Sequence, residues 1–517
     1  MIENVNENSG VVSSVRKAQM RGVPIIAVNT PDNSAFERRL RDRYDDAIPI
    51  LAWDCIRGFR PVNDSGASIC EAKKIDGQGQ ANPIQAVNMA AELPRCIVVA
   101  HNFHNYVVDG RGSNPGFLQA MQNARDTMSK NQVSFVMVGY DFDGMSEDVE
   151  GDVIRYEDLP PGREKIGSIL FGLLDDVETS KKSGDPDFVL ERPQGAELQG
   201  IVNAAIGLPN EFMIAQAMAL SFDESGRISE STLWGYKDSM LNAVSGLSVY
   251  RSTESFDDLG GLDSAKGHFR RLVNGRGRPS AFFWLDEPEK SGLTSTEDTS
   301  GVNKDQLGTA LKLIEDYQWR GIVFLGLPGV AKSQFCKCLN GEFDLPVLAG
   351  DLGACKNELV GKSERNIRKM FNTVYRVGGS DVVVILTANS IEALDDALKS
   401  RFPKMYYFDL PSTSEKSVIW DIQCKRFGIP RTQVTAVDDE GWSGRNIRNC
   451  CREAFDSERD LSSASEEIVP EAFNSRNKID KIRGYANHTL LSASYPGLYN
   501  SRRSNQEAEG RSMSFDN

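Results

Sequence analysis

An octet of residues, Gly326-Leu327-Pro328-Gly329-Val330-Ala331-Lys332-Ser333, follows the apolar run Ile322-Val323-Phe324-Leu325 and precedes a helical pattern that opens at Ser333-Gln334. A glycine turn between strand and helix directs backbone N–H groups and a helix N-terminus at a polyphosphate. Lys332 is spaced to reach the terminal phosphates and the Ser333 hydroxyl to bind Mg²⁺. Ala331 stands where the G-x-x-x-x-G-K-[ST] pattern has its second glycine, which adds strain if the loop takes positive φ there.

Phosphoryl transfer also needs a metal ligand, a group to orient or deprotonate water, and charge neutralisers. The acidic pair expected after such a loop is missing downstream and stands upstream, closing Ala281-Phe282-Phe283-Trp284-Leu285-Asp286-Glu287. Asp286 is the candidate metal ligand beside Ser333, and Glu287 the candidate base. Asn389, closing the run Val382 to Ala388, suits a group that polarises water or the γ-phosphate, or a helix cap before Ile391. Arg401 follows the helical stretch Asp395 to Ser400; it could reach a neighbouring subunit's phosphate or balance the helix C-terminus. Arg445 and Arg448, after Gly441-Trp442-Ser443-Gly444, are placed to contact a nucleotide from a helical lid or to lie in solvent.

Around these residues, strand-like apolar runs alternate with helical patterns twice, which predicts parallel, doubly wound α/β sheets. The expected organisation is a frayed N-terminus over 1–14, an α/β domain over 15–180 and a helical subdomain over 181–250. A nucleotide-binding α/β core over 251–411, a helical lid over 412–498 and a disordered tail over 499–517 complete it. Tyr156-Glu157-Asp158-Leu159-Pro160 and Tyr407-Phe408-Asp409-Leu410-Pro411 close the last strands of the two alternations, an echo that points to duplication. The first copy has Asn29-Thr30-Pro31-Asp32-Asn33 in place of a phosphate loop and Ala100-His101-Asn102 in place of an acidic pair. It is read as structural.

The 517 residues suggest two to four domains. A net charge of −14 disfavours nonspecific nucleic-acid or membrane-surface binding. No apolar run approaches the roughly 20 residues that cross a bilayer. The nine cysteines lack zinc-ligand spacing and fit reduced core thiols of a cytoplasmic protein.

The ordered set of motifs resembles the AAA family of ATPases. Phe256-Asp257-Asp258-Leu259-Gly260-Gly261-Leu262 is similar to the family's lead-in segment, which packs on the adenine. Leu359-Val360-Gly361-Lys362-Ser363-Glu364 is similar to its pore loop, with Leu359 where substrate-threading members carry an aromatic. Thr387-Ala388-Asn389-Ser390 matches the sensor position, and Leu398 to Phe402 the arginine-finger segment. Residues 15–250 more loosely resemble the degenerate first module of some plastid, bacterial and phage AAA-type proteins. The resemblance implies a P-loop NTPase-type parallel sheet with a C-terminal helical lid, and ATP with Mg²⁺ as ligands. Asp258, Leu259 and Gly260 would join residues 326–334, Arg445 and Arg448 around the nucleotide. It further implies a homo-oligomer, a hexameric ring being one form, that remodels a protein whose identity the sequence does not give.

The upstream acidic strand is compatible with that fold. If the sheet keeps the spatial order P-loop strand, sensor strand, acidic strand, only the connections change, and both can be right-handed crossovers. Asp286 then still faces Ser333 at the carboxyl ends of the strands. The loop Ser291 to Val302 would sit near the pore. The leading function is Mg-ATP hydrolysis by a remodelling ATPase; the alternative is a nucleotide-binding scaffold or switch with slow or no hydrolysis.

Overall fold

The computed structural model describes residues 10–75, 81–108, 115–140, 142, 144–158, 160–182, 190, 192–223, 226–287, 302–355, 362–391, 396–470 and 476–501. The chain divides into two compact units, one of 1–192 with 208–229, the other of 193–207 with 230–517.

In the first unit, β1 (Ile25–Asn29), β2 (Ile50–Asp54), β3 (Gly58–Pro61), β4 (Ile97–His101), β5 (Ser134–Gly139) and β6 (Ile154–Glu157) form one sheet in the order β3-β2-β4-β5-β1-β6. All neighbours are parallel except the β2–β3 hairpin. Successive residues of β1 feed opposite cores: Ile25 and Ala27 pack on one face, Ile26 and Val28 on the other. That two-sided burial is why the run reads as continuously apolar. Ion pairs fill the region that a phosphate loop would occupy. Asp158 accepts from Thr30 Oγ1 at 2.7 Å and from both Nη atoms of Arg39 at 3.0 and 2.5 Å. Glu37 takes both Nη atoms of Arg60 and His101 Nε2, the latter at 2.7 Å. Burial works to raise the Glu37 carboxyl, but the hydrogen bonds from His101 and Arg60 outweigh it and hold it at about 2.

The second unit holds a seven-stranded sheet: β7 (Leu247–Tyr250), β8 (Ala281–Asp286), β9 (Arg320–Gly326), β10 (Val347–Gly350), β11 (Val382–Ala388), β12 (Lys404–Phe408) and β13 (Leu491–Ser492). Its order is β13-β12-β9-β11-β8-β10-β7, with only β7 antiparallel. The P-loop strand β9 thus lies beside the sensor strand β11, and the acidic strand β8 on the far side of β11. Helix Val302–Asp316 connects β8 to β9 past β11, and helix Lys362–Gly378 connects β10 to β11 past β8. The five central strands repeat the spatial order of the first sheet, β2-β4-β5-β1-β6 against β10-β8-β11-β9-β12. The two echo segments therefore leave matching strands, and each aspartate is held by an arginine: Asp158 by Arg39, and Asp409 by Arg483.

Several boundaries differ from expectation, each because packing reaches across the sequence. A helix already starts at Val11, whose side chain is buried, so 11–14 are not frayed. The helices expected as a subdomain over 181–250 are shared between the units. Helices Gly195–Ala205 and Glu230–Leu241 belong to the second, where buried Lys237 donates to the Asn203 carbonyl at 3.1 Å. β7 extends the second sheet below residue 251, a four-residue edge strand too short to read from periodicity. Tyr499, assigned to the tail, is buried and donates to Asp409 Oδ2 at 2.7 Å. The stretches 1–9 and 502–517 lie outside the described residues.

His268, on helix Asp263–Asn274, stacks on Tyr406 and lies 2.9 Å from Lys404 Nζ. Burial, with Lys404 and Arg271 nearby, lowers its pKa from 6.5 to about 4. The unfolded chain therefore takes up this proton first, and stability is lost as pH falls from 6.5 toward 4. Urea titrations at stepped pH should show that slope in wild type and a shallower one in His268→Gln; equal slopes would remove His268 as its source.

Candidate nucleotide site

The candidate phosphate loop is shaped by close contacts at Gly326 and Gly329 that leave no room for a Cβ. Gly326 ends β9 where a Cβ would overlap the Phe408 carbonyl of β12. Gly329 has φ +85°, and a Cβ there would sit 2.9 Å from Ser443 Oγ and 3.2 Å from Arg445 Cβ, at the start of helix Gly444–Asp456. Leu327 and Val330 are buried in the core, and half-buried Pro328 sits between Leu327 and Gly329. The following helix, Lys332–Phe343, is anchored by Phe335, whose ring lies 4.8 to 5.2 Å from those of Phe256, Phe269 and Phe324.

Ala331 takes φ 72° and ψ 14°, so the alanine does occupy the left-handed region. A Cβ there costs about 1 kcal/mol. Ala331→Gly should raise the stability of the nucleotide-free protein by about that amount, read as a higher urea midpoint; a lower midpoint would show that the Cβ packs usefully.

Lys332 is buried, and its Nζ donates to the Gly326 and Leu327 carbonyls at 2.7 and 2.8 Å and to Asn389 Oδ1 at 2.7 Å. Asn389, the expected sensor, therefore meets Lys332 of the expected phosphate loop. Ser333 Oγ donates to Asp286 Oδ1 at 3.0 Å, and Thr387 Oγ1 donates to the same oxygen at 2.7 Å. Glu287 is buried with φ 45°, its backbone N–H held by the Thr387 carbonyl and hydroxyl at 3.2 and 3.1 Å. The register that sets Thr387 opposite Asp286 makes this possible.

A cavity of about 260 Å³ opens over these groups. Of the residues expected at the nucleotide, Asp258, Leu259, Gly260, Glu287, Gly329, Ala331, Lys332, Ser333, Gln334, Arg445 and Arg448 line it. Asp286 and Asn389 join through their bonds to Ser333 and Lys332. Gln334 lines the cavity while its amide nitrogen donates to Glu254. Asp258 closes a capping box with Ser255, and the Leu259 carbonyl accepts from Lys266 Nζ.

Arg401 is not brought to this cavity. It pairs with Glu315 at 2.7 Å and lines a separate hollow with Ile314, Gln318, Trp319 and Ser400. Leu359, Asp395 and the loop 291–301 lie outside the described residues. Sequence reasoning placed Thr387 in the sensor segment but gave no role to its hydroxyl, which lies in an otherwise apolar strand. It also missed Ile419, Ile422, Gln423 and Arg426, which line the cavity from helix Thr413–Phe427. Their i, i+3, i+4, i+7 spacing was the available signal.

The donor set fits a nucleoside polyphosphate. Lys332, Lys337, Arg426, Arg445 and Arg448 put five cations around a glycine turn, and Leu259, Ile419 and Ile422 supply an apolar wall. It also fits Mg²⁺, a hard cation held through one carboxylate and a hydroxyl with phosphate oxygens. Among the described residues there is no group of three or more His, Cys, Asp or Glu able to hold a metal, and no helix long and apolar enough to cross a membrane. All nine cysteines are free.

A family model for the N-terminal domain of SpoVK-like AAA ATPases matches residues 18–155. The chain is 21% identical to an uncharacterized AAA domain-containing protein ycf46 of Guillardia theta, over 90% of this chain and 92% of that one. It is 24% identical to Tat-binding homolog 7 of Caenorhabditis elegans over 26% of this chain and 14% of that protein. The ATP-dependent zinc metalloprotease FtsH of Karelsulcia muelleri is 21% identical over 40% of this chain and 36% of its own.

Proposed function

We propose that the chain, which is similar to AAA+ ATPases, binds and hydrolyses Mg-ATP and works as a ring-forming remodelling ATPase. One observation carries this reading: three segments distant in sequence, Asp286-Glu287, Lys332-Ser333 and Thr387 to Asn389, converge at the carboxyl ends of β8, β9 and β11.

The loop 326–331 and the N-terminus of helix Lys332–Phe343 present N–H groups to the phosphates. Lys332 supplies a buried positive charge to the terminal phosphates, and Asn389 holds that ammonium in line. Ser333 and Asp286 are the pair that would hold Mg²⁺, with Thr387 fixing the carboxylate. Mg²⁺ bound there neutralises charge on the phosphate oxygens. Glu287 orients the attacking water and accepts its proton. Arg401 acts on the active site of a neighbouring copy. The first unit, without a phosphate loop, serves as a non-hydrolysing module.

A slow switch is the second reading, favoured by the left-handed Ala331 and by the Glu315 carboxylate on Arg401. Phosphate release from ATP, measured against protein concentration with and without Mg²⁺, separates the two. The remodelling reading expects a Mg²⁺-dependent rate per subunit that rises as copies associate. It also expects recovery of activity when Arg401→Ala subunits are mixed with Glu287→Gln subunits. A chain that binds ATP with no turnover at any concentration sinks the hydrolase and leaves the switch.

A further inference from the structure

Among the described residues that line the cavity, Gln423 carries a buried amide oxygen with no hydrogen-bond partner. It is 8% exposed and its Oε1 is unpaired. Leaving a buried amide oxygen unbonded is costly, and a turn about the last side-chain bond exchanges that oxygen with the amide nitrogen, so a ligand in the cavity can supply the bond. The amide sits on the face of helix Thr413–Phe427 that carries Ile419 and Ile422 into the cavity, with Leu259 and Gly260 also lining it. Gly260 closes so tightly on this face that a Cβ would lie 2.5 Å from Ile419 Cγ1. Leu259, Ile419 and Ile422 give this side of the cavity an apolar wall, against which a flat ring can pack. The cations that suit phosphate are Lys332, Lys337, Arg426, Arg445 and Arg448.

We infer that the Gln423 side-chain amide reads the base of the bound nucleotide and sets its identity. This rests on the reading of the cavity as a nucleotide site. An amide offers one acceptor and two donors, and its rotation about the last bond lets it present both. That matches the 6-amino group and N7 of adenine, which glutamine contacts in a bidentate manner. On the same edge guanine presents two acceptors, N7 and O6, and would leave the amide oxygen facing O6.

The test is equilibrium binding of ADP, GDP and purine riboside 5′-diphosphate (adenine's ring without the 6-amino group) to the full chain and to Gln423→Leu. Thermal unfolding of both proteins without nucleotide accompanies it. Wild type should prefer ADP over the 6-deamino analogue by on the order of tenfold, and Gln423→Leu should bind the two alike. The variant, relieved of an unbonded buried amide, should unfold at the same temperature as wild type or higher. An ADP preference that survives in Gln423→Leu overturns the assignment. So does a variant that loses stability while keeping the preference, which would make Gln423 a packing residue. If leucine prevents folding, Gln423→Met carries the same comparison. ADP that binds wild type with no preference over either competitor counts against Gln423 alone, whereas no binding of any nucleotide counts against the site itself.

Discussion

Lys332→Ala should lower ATP affinity by a hundredfold or more, on the order of the loss of two charge-assisted hydrogen bonds at roughly 1.5–3 kcal/mol each. Lys332 is 4% exposed, and its ammonium is fixed by two loop carbonyls and Asn389. A bound phosphate would therefore meet a charge already desolvated and aimed, which makes it worth more than a lysine in solvent. Alanine removes that charge and leaves three acceptors, Gly326 O, Leu327 O and Asn389 Oδ1, without their shared donor. Some loss of stability is expected for this reason, and it must be separated from the loss of binding. Lys332→Arg serves as the control: it keeps the charge, but its planar fork cannot replace a compact ammonium among three converging oxygens. Titration with a fluorescent ATP analogue, alongside far-UV circular dichroism of each variant, reads both effects. Affinity unchanged in a folded Lys332→Ala protein would remove 326–333 as the phosphate loop.

The local parts of this site were legible because their physics is local. A strand, a glycine turn and Lys332-Ser333 are contiguous, so the loop could be found without tertiary information. The sheet order could also be reached, because the handedness of parallel crossovers leaves few ways to connect β8, β9 and β11. What escaped was set by contacts between distant segments. Thr387 reveals its role only when the register brings it opposite Asp286. The 419, 422, 423, 426 face was visible as a helical stripe, but a stripe does not say whether it meets core or ligand. Tyr499 seemed to belong to a polar tail until Asp409, Arg483 and Tyr499 were found joined in one cluster. Arg401 is read from position and resemblance as reaching a neighbouring subunit's phosphate or balancing a helix end; within the chain it pairs with Glu315.

Glu287→Gln should leave ATP binding intact and reduce turnover by about 10²–10⁴-fold, the range over which a positioned general base acts. Glutamine keeps the size and shape of the side chain and can still orient a water through its carbonyl oxygen, but it cannot take the proton. The carboxylate is poised by its backbone. Glu287 follows the last residue of β8 at φ 45°, an unusual conformation for a residue with a side chain. Its N–H is pinned twice by Thr387, whose hydroxyl also fixes Asp286. One threonine on β11 thus holds Asp286 through its carboxylate and Glu287 through its backbone. Both carboxyl-bearing residues take their positions from β11 rather than from their place in the chain, which is how an acidic strand that enters before residues 326–333 can still meet them. Single-turnover and steady-state phosphate release would separate the binding and chemical steps. Equal rates for wild type and Glu287→Gln, with ATP bound by both, would mean that the protein is a nucleotide-gated switch with no hydrolytic step to lose.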